Sequence, residues 1–179
     1  MTWRVAVTGS ECTGKTTLAS DIAARLGVPC VAEAARAYAE ARGGVLSAAD
    51  VEAIALATIA ALRAAQSEQA QAIVSDTDLV STMVYAHEYY GSCPAWIEAE
   101  CRAQLADLYL LCAPDIPWVA DGVRDRPAAS ARAAMHAAFV QALHDLGARV
   151  VLVEGTGDAR AERAMTAVRA AQPAVSATA

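Results

Sequence analysis

The sequence predicts an α/β fold: a five-stranded parallel sheet flanked by helices. Three features carry that prediction. Short aliphatic runs alternate with long alanine-rich stretches, five such runs occur, and the first of them leads directly into a glycine-rich loop that opens a helix. Strands are expected at 3–7, 29–32, 72–75, 108–112 and 150–153, because near-continuous apolar runs suit strands covered on both faces. Helices are expected at 15–26, 48–71, 77–90, 128–146 and 158–170 from their composition. In the last of these, Ala161, Ala164, Met165 and Val168 recur on one face. The crossovers between strands are expected to be right-handed.

Two stretches break the alternation. Residues 114–126 hold Pro114, Pro117 and Gly122 among the charges Asp115, Asp121, Arg124, Asp125 and Arg126, which reads as an exposed loop between a strand and a helix. Residues 172–179 carry Pro173 and small side chains and are expected to be a disordered tail. What remains, 1–171, is expected to be a single domain, a size that buries a sizeable core without metal or disulfide staples.

Composition excludes several functions. With no asparagine, neither the Asn-Lys-x-Asp loop of a small GTPase nor a protein-kinase catalytic loop can be built. A net charge of −6 argues against nucleic acid and anionic membrane partners. The apolar run at 53–62 is too short to span a bilayer, no signal peptide opens the chain, and five widely spaced cysteines lack any C-x-x-C pair. Reduced, buried thiols in a cytoplasmic protein are therefore expected, rather than a disulfide framework or a zinc site.

The motif that carries chemistry is Gly9-Ser10-Glu11-Cys12-Thr13-Gly14-Lys15-Thr16, a G-x-x-x-x-G-K-[ST] phosphate loop between a strand and a helix. Its glycines let backbone N–H groups curl around a β-phosphate, Lys15 reaches the β- and γ-phosphates, and the Thr16 hydroxyl faces Mg2+. Gly9, Glu11, Cys12, Thr13, Gly14, Lys15, Thr16 and Thr17 are the expected contacts to ATP. Lys15 is also the sole lysine among 14 Lys and Arg residues. A compact ammonium fits the phosphate cradle where a planar guanidinium does not, so this position tolerates arginine least. Apart from Arg36, Arg124 and Arg126, the arginines are expected as solvated or helix-end charges.

Ligands of such sheets lie at the carboxyl ends of the strands. Glu33, Asp76 and Glu154 fall there, with Asp78 two residues beyond Asp76. Asp76 and Asp78 suit either a ligand site or helix capping, and Glu154 suits capping beside Gly155. If their segment is helical, Glu33 and Arg36 share one face, holding an acceptor hydroxyl and a phosphate, or simply pairing with each other. Asp76-Thr77 lacks the adjacent glutamate of a motor or chaperone ATPase.

Taken in order, the phosphate loop, Glu33 with Arg36, Asp76-Thr77-Asp78, Tyr89 with Gly91, and Trp118-Val119-Ala120-Asp121-Gly122-Val123-Arg124 resemble the ribosylnicotinamide kinase domain of the NadR family. The resemblance spans about 3–170. It implies a nucleoside- and nucleotide-kinase fold in which ATP and Mg2+ phosphorylate a ribose 5′-hydroxyl, nicotinamide riboside being the best acceptor. It makes Glu33 the acceptor-side carboxylate or base, and places Asp76 beside Mg2+ or the acceptor ribose. Arg36, Asp78 and Tyr89 then bind the acceptor, while Arg124 and Arg126 close from a lid at about 114–132. The wider group of related P-loop ATPases also implies an alternative, a nucleotide-binding regulatory or adaptor protein with little catalysis. The family's DNA-binding and adenylyltransferase activities are not expected here. Where the family sets an aromatic before the glutamate, this sequence has Ala32; Tyr89, Tyr90 and Trp118 are the alternative stacking surfaces.

Overall fold

A computed structural model describes residues 2–67, 70–117 and 129–173. Five parallel strands, β1 (Trp3–Thr8), β2 (Cys30–Val31), β3 (Ala72–Asp76), β4 (Leu108–Cys112) and β5 (Val150–Val153), form one sheet in the order β2-β3-β1-β4-β5. Around it lie α1 (Lys15–Leu26), α2 (Ala34–Ala41), α3 (Val51–Ser67), α4 (Leu79–Tyr90), α5 (Ala95–Ala103), α6 (Ala129–Asp145) and α7 (Gly157–Ala171).

The apolar strands are explained by two cores, one on each face of the sheet. Val5 and Val7 of β1 join Leu108 and Leu110 of β4 against Leu18 and Ile22 of α1 and Met165 and Val168 of α7. Ala6, Tyr109 and Leu111 point the other way, onto Val80 and Val84 of α4 and Met135 and Phe139 of α6. Full burial of one such large apolar side chain contributes roughly 1.5–3 kcal/mol, so the two-sided core holds the central strands firmly. Among the described residues no helix is long and apolar enough to cross a membrane.

The predicted elements meet this architecture with four differences. The second strand shrinks from 29–32 to Cys30–Val31. Two short helices, α2 and α5, were not expected as elements; α5 buries only Ile97 and Cys101, a stripe too narrow to register as periodicity. The long helix at 48–71 resolves into a 3-10 turn, Ala48–Asp50, and α3, because Asp50 caps the turn by accepting from Ser47 N at 2.9 Å and Ser47 Oγ at 2.8 Å. Finally α4 starts at Leu79, since Asp78 is its N-cap and accepts from Val80 N at 3.0 Å.

Cysteine burial is also mixed. Cys12, Cys101 and Cys112 are buried, Cys93 is half-buried and Cys30 is exposed, so the expectation of buried thiols fails at Cys30, on the edge strand. Residues 118–126 of the loop expected at 114–126, and residues 174–179 of the tail expected at 172–179, lie outside the described residues.

Register places the chemistry. β1 is central, and Val7 is paired with Asp76 on one side and Leu110 on the other. The loop that leaves β1 therefore emerges beside the carboxyl end of β3, with the end of β4 on its other flank.

Candidate active site

The phosphate loop begins at Gly9, whose φ is 134°. A Cβ there would stand 2.9 Å from the Cys112 carbonyl oxygen, so the loop can turn past the end of β4 only with glycine. Gly14, at φ 72°, is the N-cap of α1 and supplies no side-chain cap, which leaves the first-turn N–H groups facing the loop's hollow. The loop is closed on itself: the Ser10 carbonyl accepts from Thr13 Oγ1 at 2.7 Å and from Lys15 Nζ at 2.9 Å. Lys15 is only 8 % exposed, held at the base of the cradle where a triphosphate would lie.

Thr16 Oγ1 donates to Asp76 Oδ2 at 2.5 Å, joining the start of α1 to the end of β3. Asp76 Oδ1 is buried and, among the described residues, has no hydrogen-bond partner. A buried carboxylate oxygen without a donor is costly unless a cation or ligand satisfies it. Thr16 and Asp76 are thus a hard-oxygen pair suited to Mg2+.

Glu33 is the N-cap of α2, yet its carboxylate makes no cap bond and lines the same cavity as Lys15 and Thr16. Arg36 Nε lies 3.8 Å from Glu33 Oε2. Burial pushes the Glu33 carboxyl above its usual range; Lys15 opposes the shift, Asp76 adds to it, and Arg36 opposes it again. A carboxylate so placed is poised to take a proton.

The cavity has a volume of about 370 Å³ and runs from the phosphate loop to an aromatic wall. Tyr85, Tyr89 and Tyr90 of α4 form that wall, facing Ala39, Val51 and Ile54 from α2 and α3. Tyr85 stacks on Tyr89, with centroids 5.7 Å apart and planes at 23°, and meets Phe139 edge-on. Its hydroxyl donates to Glu11 Oε2 at 3.2 Å, and burial holds the phenol well above its ordinary range.

Of the expected site residues, Glu11, Cys12, Thr13, Gly14, Lys15, Thr16, Thr17, Glu33, Arg36 and Tyr89 line this one cavity, and Asp76 is tied to it through Thr16. Gly9 stands behind the loop, against β4. Asp78 is a correction: it does not reach the cavity, because Val80 N and Tyr109 Oη (2.5 Å) occupy its two oxygens. Glu154 is exposed and away from the cavity. Arg124, Arg126 and Trp118 lie outside the described residues.

Three residues escaped the sequence. Tyr85 was missed although its i,i+4 spacing to Tyr89 is visible once Asp78 is taken as the helix cap. Arg160, expected as a solvated or helix-end charge, is 4 % exposed. It donates to Thr13 O at 2.7 Å, Gly155 O at 2.7 Å and Asp115 Oδ1 at 3.1 Å, while Asp115 Oδ2 accepts from Gly155 N at 2.6 Å. One guanidinium thereby joins the phosphate loop to the loop after β5. Arg132, 8 % exposed, likewise departs from that expectation and donates to the Ile116 carbonyl at 2.9 Å.

Comparison with known proteins agrees with this geometry. Residues 4–160 match the family model described as an AAA domain. The trifunctional NAD biosynthesis/regulator protein NadR of Salmonella typhimurium is 28 % identical over 145 residues, covering 79 % of this chain and 35 % of that protein. Two solved structures of NadR, one in complex with NR and one with NAD and AMP-PNP, are similar at TM-scores of 0.78 and 0.75. Each is 26 % identical and covers 94 % of this chain, and they are matched over 50 % and 49 % of their own lengths. A thymidylate kinase from Ehrlichia chaffeensis shares the fold at a TM-score of 0.68 and 13 % identity, over 93 % of this chain and 98 % of the kinase. The chain thus spans about a third of the curated relative and half of the NadR structures.

Proposed function

The chain belongs to this AAA domain family, and on that premise we propose that it is an ATP-dependent kinase that phosphorylates a nucleoside hydroxyl, with nicotinamide riboside as the acceptor. The observation that carries the reading is a single cavity in which the phosphate loop, the Glu33 carboxylate and a tyrosine wall face one another. The first holds a triphosphate, the second a hydroxyl proton, and the third a flat base.

In the reaction the acceptor hydroxyl oxygen attacks the γ-phosphorus. The bond from that phosphorus to the β–γ bridging oxygen breaks, ADP leaves, and the hydroxyl proton passes to Glu33. Lys15 turns from the Ser10 carbonyl to the β- and γ-phosphate oxygens and stabilises the charge that spreads there. Thr16 and Asp76 would hold Mg2+, which supplies charge neutralisation between the β- and γ-phosphates when bound. Arg124 and Arg126 are assigned to a lid over the transferring group, within a single kinase-like domain over 1–171.

The test is direct: purified protein, ATP and Mg2+ are incubated with a panel of nucleosides. A 5′-monophosphate is expected, fastest from nicotinamide riboside. Retained ATP binding with no phosphorylated product across the panel would overturn the kinase reading in favour of a nucleotide-binding regulator.

A further inference from the structure

Away from the nucleotide cavity, three side chains of metal-ligating chemistry converge where α4 ends and α5 begins. His87 is in the last turn of α4, Gly91 ends that helix with φ 75°, Pro94 is the N-cap of α5 and Glu98 lies in its first turn. This tight reversal carries Cys93 back towards both helices. One ligand atom each from His87, Cys93 and Glu98 lies within 4.8 Å of the other two, and His87 Nε2 is 2.9 Å from Glu98 Oε1.

We propose that His87, Cys93 and Glu98 form a binding site for one divalent ion of the zinc class. The donor set decides the class. Imidazole nitrogen, thiolate sulfur and carboxylate oxygen together suit a borderline-soft ion, whereas Mg2+ and Ca2+ favour oxygen alone. Tetrahedral bonds of about 2.0–2.3 Å set ligand atoms roughly 3.3–3.8 Å apart. The cluster reaches that spacing if His87 and Glu98 part by under about 1 Å and the longest separation shrinks by about 1 Å, changes on the scale of side-chain torsions.

The setting favours a cation. Beside the cluster is a recess of about 320 Å³ whose wall carries Glu88, Glu98 and Asp145 against Arg102, a local acidic excess. Water from this recess would complete the coordination, with the Cys93 proton released to solvent on binding. No zinc pattern was visible in the sequence because the spacing, five residues between His87 and Cys93 and four between Cys93 and Glu98, belongs to a helix–turn–helix reversal and not to a C-x-x-C loop. A bound ion would staple the end of α4, next to Tyr89 and Tyr90, to α5. The site is independent of the kinase reading.

The experiment uses the intact chain, stripped with chelator and titrated with Co2+ as the probe, then with Zn2+ in competition. One equivalent of Co2+ is expected to give a near-ultraviolet thiolate-to-metal charge-transfer band that Zn2+ abolishes. Cys93→Ser should remove the band, Cys30→Ser should keep it, and His87→Gln and Glu98→Gln should each weaken binding by about 10-fold or more. Circular dichroism of Cys93→Ser checks that the variant is folded. Co2+ held by Thr16 and Asp76 has no thiolate and cannot imitate the band. No band, a band indifferent to Cys93→Ser, or one lost with Cys30→Ser would each overturn the proposal.

Discussion

The two ends of the cavity are built in opposite ways. On the proposed reading the donor end is one continuous segment, 9–17, whose shape is imposed by Gly9, Gly14 and the Arg160 anchor. The acceptor end, on that reading, is assembled from side chains of α2, α3 and α4, spread over a stretch of more than 50 residues, and is mostly aliphatic and aromatic. Phosphates are alike in every nucleotide, so a short rigid cradle serves them all. Acceptors differ, and a wall of separate side chains can be altered one residue at a time without disturbing the cradle. The difference teaches that donor chemistry and acceptor choice should be separable by mutation.

The largest expected effect is at Lys15. Lys15→Ala should lower turnover by about 10³-fold or more and sharply weaken ATP binding, since a preorganised charge on the phosphates is lost. Lys15→Arg should fail almost as badly, because a planar guanidinium fork cannot replace a compact ammonium in the phosphate cradle. Isothermal titration with ATP and single-turnover kinetics check both. Retained ATP affinity in Lys15→Ala would break the assignment of this end to the donor.

Next comes Glu33. Glu33→Gln should cut turnover by about 10²–10³-fold while ATP affinity stays within about twofold, because a general base acts on the acceptor alone. The pH profile gives the sign. A base must be ionised to work, and burial raises the Glu33 pKa, so the wild-type rate should climb with pH through a limb lying above the ordinary glutamate range. Below that limb Glu33 is protonated and turnover is lost; in Glu33→Gln the limb should vanish. Equal loss of ATP affinity would show that the two ends are one.

The same contrast explains what the sequence disclosed. Gly9 to Thr16 could be read because a phosphate cradle is local: spacing, glycine and lysine suffice. Asp76 could be read because strand ends are local too, and the parallel sheet follows from the apolar runs covered on both faces. Tyr85, Val51 and Ile54 could not be placed, because their meeting depends on how α3 and α4 dock, a tertiary fact with no fixed spacing. Asp78 suited either a ligand site or a helix cap on the sequence; the cap is what the fold uses, and Tyr109, 31 positions away, takes its other oxygen inside the core. Arg160 was misassigned for the same reason: a helix-borne arginine is usually solvated, and only the fold shows three carbonyl and carboxylate partners around it.

The smallest expected effect is at a hydrogen bond that crosses between the two ends, from the Tyr85 hydroxyl to Glu11. Tyr85→Phe keeps the ring, its stack on Tyr89 and its edge contact with Phe139, so the aromatic wall survives. What is removed is one hydrogen bond, worth about 0.5–1.5 kcal/mol, or roughly 2- to 10-fold in an equilibrium constant. Because the ring stands on the acceptor side, that loss should appear as a higher KM for the nucleoside, with kcat and the affinity for ATP alone nearly unchanged. Steady-state kinetics with each substrate varied in turn separates the outcomes. A fall in ATP affinity as large as the rise in acceptor KM would mean that the Tyr85–Glu11 bond shapes the phosphate loop itself, and the donor cradle could no longer be treated as self-contained.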